Sequence, residues 1–551
     1  MKKQFFFLLL SFIFLFECSG QILTSKEKFT LKDSLRGSLS PERENFNVLH
    51  YELTVKVDPD KRFISGNNNI TFQVLDSLPI MQLDLYKNMK VDSIIFNNEA
   101  LDYTRIHDAV FIDFKNQLKV NSRNSVQFYY SGKPVVAKNA PWDGGFVFKK
   151  DGNDKHWIGV AVQGDGASLW YPNKDHLSDE PDEGADIKVA VPNGLKNVSN
   201  GRLIDSTDMG NGYTEWHWRV VNPINNYNIT LNIGDYVNFK DTFRDLDLDY
   251  YVLRENLSVA KKQFEQVKTM MECFYDKIGE YPFVEDSYKL VETPYLGMEH
   301  QSAIAYGNGF KNGYLGTDLS FTGHGLSWDF IIIHESGHEW FGNSISVSDI
   351  ADLWIHEAFT TYTEAIFIEC TKSKEAAAKY LKGLRLTIEN QRPMIATYGV
   401  NQSGPGDIYF KGANMIHTIR SLVDDDELWW NTLLAFTEEF KHTVTNSDEV
   451  IQFFCNKLNT EKLNLEPVFN QYLNFVKIPK LEIRKKGLFN IQARWNVDVD
   501  EFSLPIYINY KGKTKKVSIT KNWSTIKRSF KKAKDFKIDL VDYYFDVSYI
   551  K

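Results

Sequence analysis

Ile331 to Glu364 reads IIIHESGHEWFGNSISVSDIADLWIHEAFTTYTE. His334 and His338 are four apart, so on a helix both imidazoles share one face, one turn apart, where they can hold one metal ion. Glu335 lies beside them, placed to take a proton from an attacking water. Eighteen residues separate His338 from Glu357, which falls in a second helical pattern: Asp349 can cap it, and Leu353, Phe359 and Ile366 help give it an apolar face. Two antiparallel helices joined by about a dozen residues would bring Glu357 beside the histidines. Two histidines and a carboxylate leave one tetrahedral position open, the arrangement of a catalytic rather than a structural zinc site. H-E-x-x-H alone is a short pattern that occurs by chance. The apolar entry at Ile331–Ile333 and a third ligand at a definite distance argue against two unrelated surface histidines. Asp352, Thr361 and Glu364 are candidates to hold the ligand imidazoles from behind.

Outward from this stretch, 551 residues are too many for one core. The formal charge is -8 with no sustained basic stripe, which argues against nucleic acid as a partner. Residues 1–20 read as a signal peptide: Lys2 and Lys3, an apolar run from Phe5 to Phe16, then Cys18-Ser19-Gly20. The run is short of the ~20 residues of a membrane span. Export to a periplasmic or extracellular location follows, with lipidation at Cys18 as an alternative if the source is bacterial. Cys273, Cys370 and Cys455 are odd in number and far apart, and are expected as buried or free thiols.

Residues 21–45 are polar and mixed, as in a linker. Residues 46–240 alternate apolar and polar in short runs, beginning with Tyr51, Leu53, Val55 and Val57, which predicts a large, curved or saddle-shaped β domain. Within it, Gln163–Asp182 reads as a long solvated loop. Residues 241–478 are dominated by amphipathic helices around the metal stretch. Residues 479–551 return to strand alternation, as in a small β-sandwich. Lys511, Lys513, Lys515 and Lys516 there read as the solvated face of a hairpin.

With H-E-S-G-H-E-W-F-G-N followed by D-L-W-I-H-E-A-F, the sequence resembles the gluzincin aminopeptidases, the family of membrane alanyl aminopeptidase and leukotriene hydrolase. Gly297-Met298-Glu299-His300 resembles that family's G-x-M-E-N motif, and Tyr409-Phe410-Lys411-Gly412-Ala413 its catalytic-tyrosine motif. Gln163, eight residues before Tyr171-Pro172, resembles its β-domain glutamine. The resemblance implies a multidomain α+β fold: a β saddle, a thermolysin-like zinc metallopeptidase domain and a C-terminal β-sandwich. It implies one Zn2+ on His334, His338 and Glu357, with Glu335 as the base and Tyr409 donating to the oxyanion. Glu299 and Gln163 would bind the free α-ammonium of a peptide, and Gly297 and Met298 would lie along its first residue. The expected activity is therefore removal of N-terminal residues from peptides. A zinc endopeptidase and a non-catalytic peptide-binding protein of the same fold are the alternatives. An epoxide hydrolase has no residue in its favour.

His300 stands where the family has Asn, and His356-Glu357-Ala358 replaces N-E-G, which leaves pocket shape open. Many relatives continue into a large helical domain after the β-sandwich, and a short form lacking that domain is expected here. A more open cleft, or one closed by a dimer partner, is expected.

Overall fold

The computed structural model describes residues 28–550, except 78, 116, 163, 488–489, 511–512, 529–535 and 539. The segment read as a signal peptide, residue Gln163 and part of the lysine cluster thus lie outside the described residues.

The β domain is built on an eight-stranded sheet in which strand Phe46–Asp58 pairs in parallel with Ala185–Pro192 and antiparallel with Phe63–Val74. A four-stranded and a three-stranded sheet complete it. Tyr51, Leu53, Val55 and Val57 point into one core, as their alternation requires.

A five-stranded mixed sheet follows, ending at its edge in the two-residue strand Gly297–Met298. This sheet separates two cores. Tyr250, Val252, Leu290 and Ile304 face the helices, whereas Tyr251, Leu253, Val291 and Ala305 face the β domain. Both faces are buried, so the strand reads as an unbroken apolar run, Tyr250-Tyr251-Val252-Leu253. Its first strand is Tyr236–Phe243, so the expected boundary at residue 240 cuts through a strand. Helices Phe330–Gly337, Trp354–Thr371 and Asp407–Val423 (the histidine, glutamate and tyrosine helices below) pack behind it. Residues 480–550 form a four-stranded and a three-stranded sheet. Their core, around Trp495, Phe502 and Leu504, is continuous with that of the helices. Among the described residues no helix is long and apolar enough to cross a membrane.

Three expectations are corrected. Residues 30–45 are not a linker. They form helices Leu31–Gly37 and Pro41–Glu44, the first closed by a Thr30–Asp33 capping box. Arg43 is fully buried, with Nη2 2.5 Å from Asp84 Oδ2 and Nη1 donating to the carbonyls of Arg36 and Ser38. Polar composition concealed this because the buried charge is paired. Second, the stretch after Gln163 is not solvated: Trp170, Tyr171, Asp175, Asp179 and Glu180 are all buried. Its acids are partnered, Asp179 by Lys174 and the Tyr51 hydroxyl. Third, Cys273 and Cys370 form a disulfide, and Cys455 alone is a free thiol among the described residues. Their separation of 97 residues carries no local sequence signal.

Candidate active site

The Asp329 carboxylate caps the histidine helix by accepting from the backbone N–H of Ile331 and Ile332. The next turn carries His334 and Glu335, and His338 closes the helix. After a short strand, Ile345–Val347, and a turn capped by Asp349, the glutamate helix returns beside it. His338 Nε2 lies 3.4 Å and His334 Nε2 3.9 Å from Glu357 Oε2. All three ligand atoms are buried within 4.8 Å of one another. Donors ~2.1 Å from one tetrahedral zinc ion would lie about 3.4 Å apart, so this donor set fits the ion.

The other ring nitrogens are held in place. His334 Nδ1 donates to Glu364 Oε1 at 2.7 Å, and Glu364 accepts from the Tyr380 hydroxyl at 2.6 Å. His338 Nδ1 donates to the Phe341 carbonyl at 3.0 Å. These bonds leave both Nε2 atoms for the metal. Of the three expected supporting residues, only Glu364 touches an imidazole. Asp352 instead accepts from the hydroxyls of Tyr398 and Ser447. The Thr361 hydroxyl is buried away from the histidines, and its neighbour Thr360 takes the place, with Oγ1 3.1 Å from His338 Nδ1 and donating to the Phe341 carbonyl. A one-residue error on a helix is a rotation of ~100°, beyond what motif spacing resolves.

Gly412 packs the tyrosine helix against the glutamate helix so closely that a Cβ there would stand 2.4 Å from the Ala358 Cβ. This contact brings Tyr409 over the site, with its hydroxyl donating to Glu357 Oε1 at 2.8 Å. Gly297 is equally constrained: a Cβ would fall 2.8 Å from Glu335 Oε1. Strand Gly297–Met298 lies at the edge of its sheet.

Glu299 is 4 % exposed, and one of its carboxylate oxygens lies within 4.8 Å of ligand atoms of Glu335 and His338. Its backbone carbonyl accepts from Asn343 at 2.7 Å, and Asn343 accepts from Asn228 of the β domain at 2.8 Å. Glu339 fixes the next turn by accepting from the Ser302 N–H at 3.0 Å. Tyr227, also from the β domain, lines the smaller of two cavities together with Glu299. The sequence reading missed Tyr227, which sits in an Asn-rich turn without a motif.

Burial raises the pKa of Glu335 well above the ordinary carboxylate range and raises that of Glu299. Burial also acts to raise Glu357, but His338, His334 and Tyr409 outweigh it and hold its carboxyl below the usual value. Burial lowers His334 to about 3, which keeps it a neutral donor. Buried carboxylates outnumber the two imidazoles here, a charge balance suited to a divalent cation.

A cavity of about 380 Å³ contains Gly297, Met298, Glu299, His334, Glu335, His338, Glu357 and Tyr409 in its walls. A second cavity of about 70 Å³ meets it at Glu299, the one residue common to both linings among the described residues. The structure thus gathers every expected site residue except Gln163, which lies outside the described residues. Val162 and Gly164, on either side of Gln163, line the smaller cavity.

The fold and donor set together are those of a gluzincin, in which H-E-x-x-H is completed by a glutamate on the following helix. The chain belongs to peptidase family M1: residues 262–472 match the Peptidase family M1 domain and residues 47–227 the Peptidase M1 N-terminal domain. It is 23% identical over 350 residues to "Probable aminopeptidase 1" of Sulfurisphaera tokodaii, covering 60% of this chain and 42% of that one. It is 24% identical over 292 residues to aminopeptidase N of Escherichia coli, covering 50% and 33%. The chain spans less than half the length of these relatives. The M1 zinc metallopeptidase of Deinococcus radiodurans shares the fold, with a TM-score of 0.67 at 19% identity over 82% of this chain and 98% of that one.

Proposed function

We propose that this chain is a zinc aminopeptidase that removes the N-terminal residue of peptides. The observation that carries the reading is the buried Glu299 carboxylate beside Glu335 and His338 at the junction of the two cavities. A peptide N-terminus is a cation, and a desolvated carboxylate rewards it while penalising a blocked amine.

His334, His338 and Glu357 would hold the zinc ion, which when bound supplies Lewis acidity to the attacked carbonyl. Glu335 takes a proton from the attacking water and delivers it to the leaving amine. The Tyr409 hydroxyl donates to the developing oxyanion, a contact worth ~10²–10³ in rate in comparable sites. Glu299 holds the α-ammonium, supported by Tyr227 and Gln163. Strand Gly297–Met298, at the edge of its sheet and in the cavity wall, lies along the first residue.

Substrates in this reading are peptides with a free N-terminus. Export is the proposed location, supported by the charged and apolar pattern of residues 2–16 and by the Cys273–Cys370 disulfide, a bond that persists in oxidising compartments. Lipidation at Cys18 is the variant in which the protein is membrane-anchored.

N-acetylation of a peptide substrate should abolish turnover, and equal rates on free and blocked peptides would establish an endopeptidase instead. Glu335→Gln should keep zinc at one per chain and lower kcat for an aminoacyl anilide by ~10³ or more. Unchanged hydrolysis would remove Glu335 as the base.

A further inference from the structure

The lining of the larger cavity divides by chemistry. Its charged side chains, Glu299, Glu335 and Glu357, are all engaged in binding the amine, moving the proton or holding the metal. Almost all of the remainder is apolar, chiefly Trp142, Leu296, Met298, Tyr314, Leu319 and Phe410. An α-ammonium at Glu299 and a carbonyl between Glu335 and Tyr409 are two bonds apart in the same residue. With both ends fixed, the first side chain projects onto these apolar walls. Among the described lining residues no further carboxylate faces a basic side chain, and no Lys or Arg faces an acidic one. A charged first side chain would therefore be desolvated without a partner.

Trp142 has a second peculiarity. It is 62 % exposed, although it lines the cavity. Its loop is held by bonds that do not involve the indole. Asp143 accepts from the N–H groups of Lys138 at 2.7 Å and Asn139 at 2.6 Å, and Gly144 N–H donates to Asp165 Oδ2 at 2.6 Å. Asp165 lies two residues from Gln163. The loop thus presents a large apolar ring that local folding leaves uncovered, from the domain opposite the catalytic helices. A substrate side chain is the surface positioned to cover it.

We propose that the site selects peptides whose first residue is large and apolar or aromatic, and that Trp142 is a specificity-determining residue covering that side chain. The inference rests on the aminopeptidase reading. The test is kcat/KM on Phe, Leu, Ala, Lys and Glu anilides for the wild type, Trp142→Ala and Trp142→Phe. The wild type should favour Phe and Leu over Ala by about tenfold or more, and over Lys and Glu by about a hundredfold. Trp142→Ala should lose about tenfold on Phe and Leu, mainly through KM, and the loss should exceed that on Ala by about fivefold. Trp142→Phe should recover most of it. Lys or Glu anilides cleaved as well as Leu, or a Trp142→Ala loss equal on all substrates, would overturn the proposal and leave the aminopeptidase reading intact. Absence of turnover on every anilide would overturn both.

Discussion

Glu180 leaves the β domain and ends beside Ser346, just past the histidine motif. Burial pushes its carboxyl up from 4.5 to about 7. Its Oε1 accepts from the Ser346 hydroxyl and from Asn225 Nδ2, the latter at 3.4 Å, and Ser346 Oγ lies 3.1 Å from the Gly342 carbonyl. The pH dependence follows from the direction of the shift. Below pH 4.5 both the folded and the unfolded carboxyl hold their proton, and there is no difference between them. Between 4.5 and 7 the unfolded chain ionises first, so stability falls as pH rises, and above 7 the folded state bears the full penalty. Glu180→Gln keeps an acceptor for the Ser346 hydroxyl and cannot ionise. It should be close to neutral at pH 4 and stabilising by on the order of 1–3 kcal/mol at pH 8, read from urea midpoints. An equal effect at the two pH values would contradict a buried, neutral Glu180.

At the scale of elements, the N-terminal pair of short helices joins the two halves of the chain. Asn401 N–H donates to the Asp33 carbonyl at 3.1 Å, and a Cβ on Gly37 would collide with the Val400 backbone at 2.0 Å. Arg36 lines the small cavity that meets Glu299, while Arg43 ties the segment to Asp84. Arg43→Ala leaves the Asp84 carboxylate buried without its cation, which should cost about 3–5 kcal/mol in thermal or urea unfolding. A loss below ~1 kcal/mol would mean that Asp84 is protonated or resolvated in the variant. The zinc helices were legible because a ligand spacing of four is a helix geometry in itself. The N-terminal helices were less so. Thr30-x-x-Asp33 is a start signal visible in the sequence, but the burial of Arg43 depends on Asp84, which is remote in the chain. Likewise the histidine partners Thr360 and Phe341 are set by how two helices rotate against each other.

For the whole molecule, the five-stranded sheet acts as a common wall, helices on one face and the β domain on the other, with the site at its open edge. The metal ligands come from two helices behind that wall, while Tyr227 and Trp142 reach the site from the other domain. The metal balances a buried excess of carboxylate, so removing it should loosen the assembly. Chelation should lower the thermal midpoint by about 5 °C or more, and added zinc should restore it. An unchanged midpoint after verified metal loss would mean the ion adds nothing to stability. The central strand Leu246–Leu253 falls inside the stretch expected to be dominated by helices: its apolar run does not say which face meets which domain, which packing decides, and the boundary expected at residue 240 fell inside the neighbouring strand.

The disulfide has a consequence for how the chain comes apart. Cys273 and Cys370 close a covalent ring that contains Glu299, His334, Glu335, His338 and Glu357. A protease that cuts once at the exposed residues 321–323 opens the ring without releasing a piece. These five residues then remain on one covalently joined molecule, held in register by a crosslink at the far end of the glutamate helix.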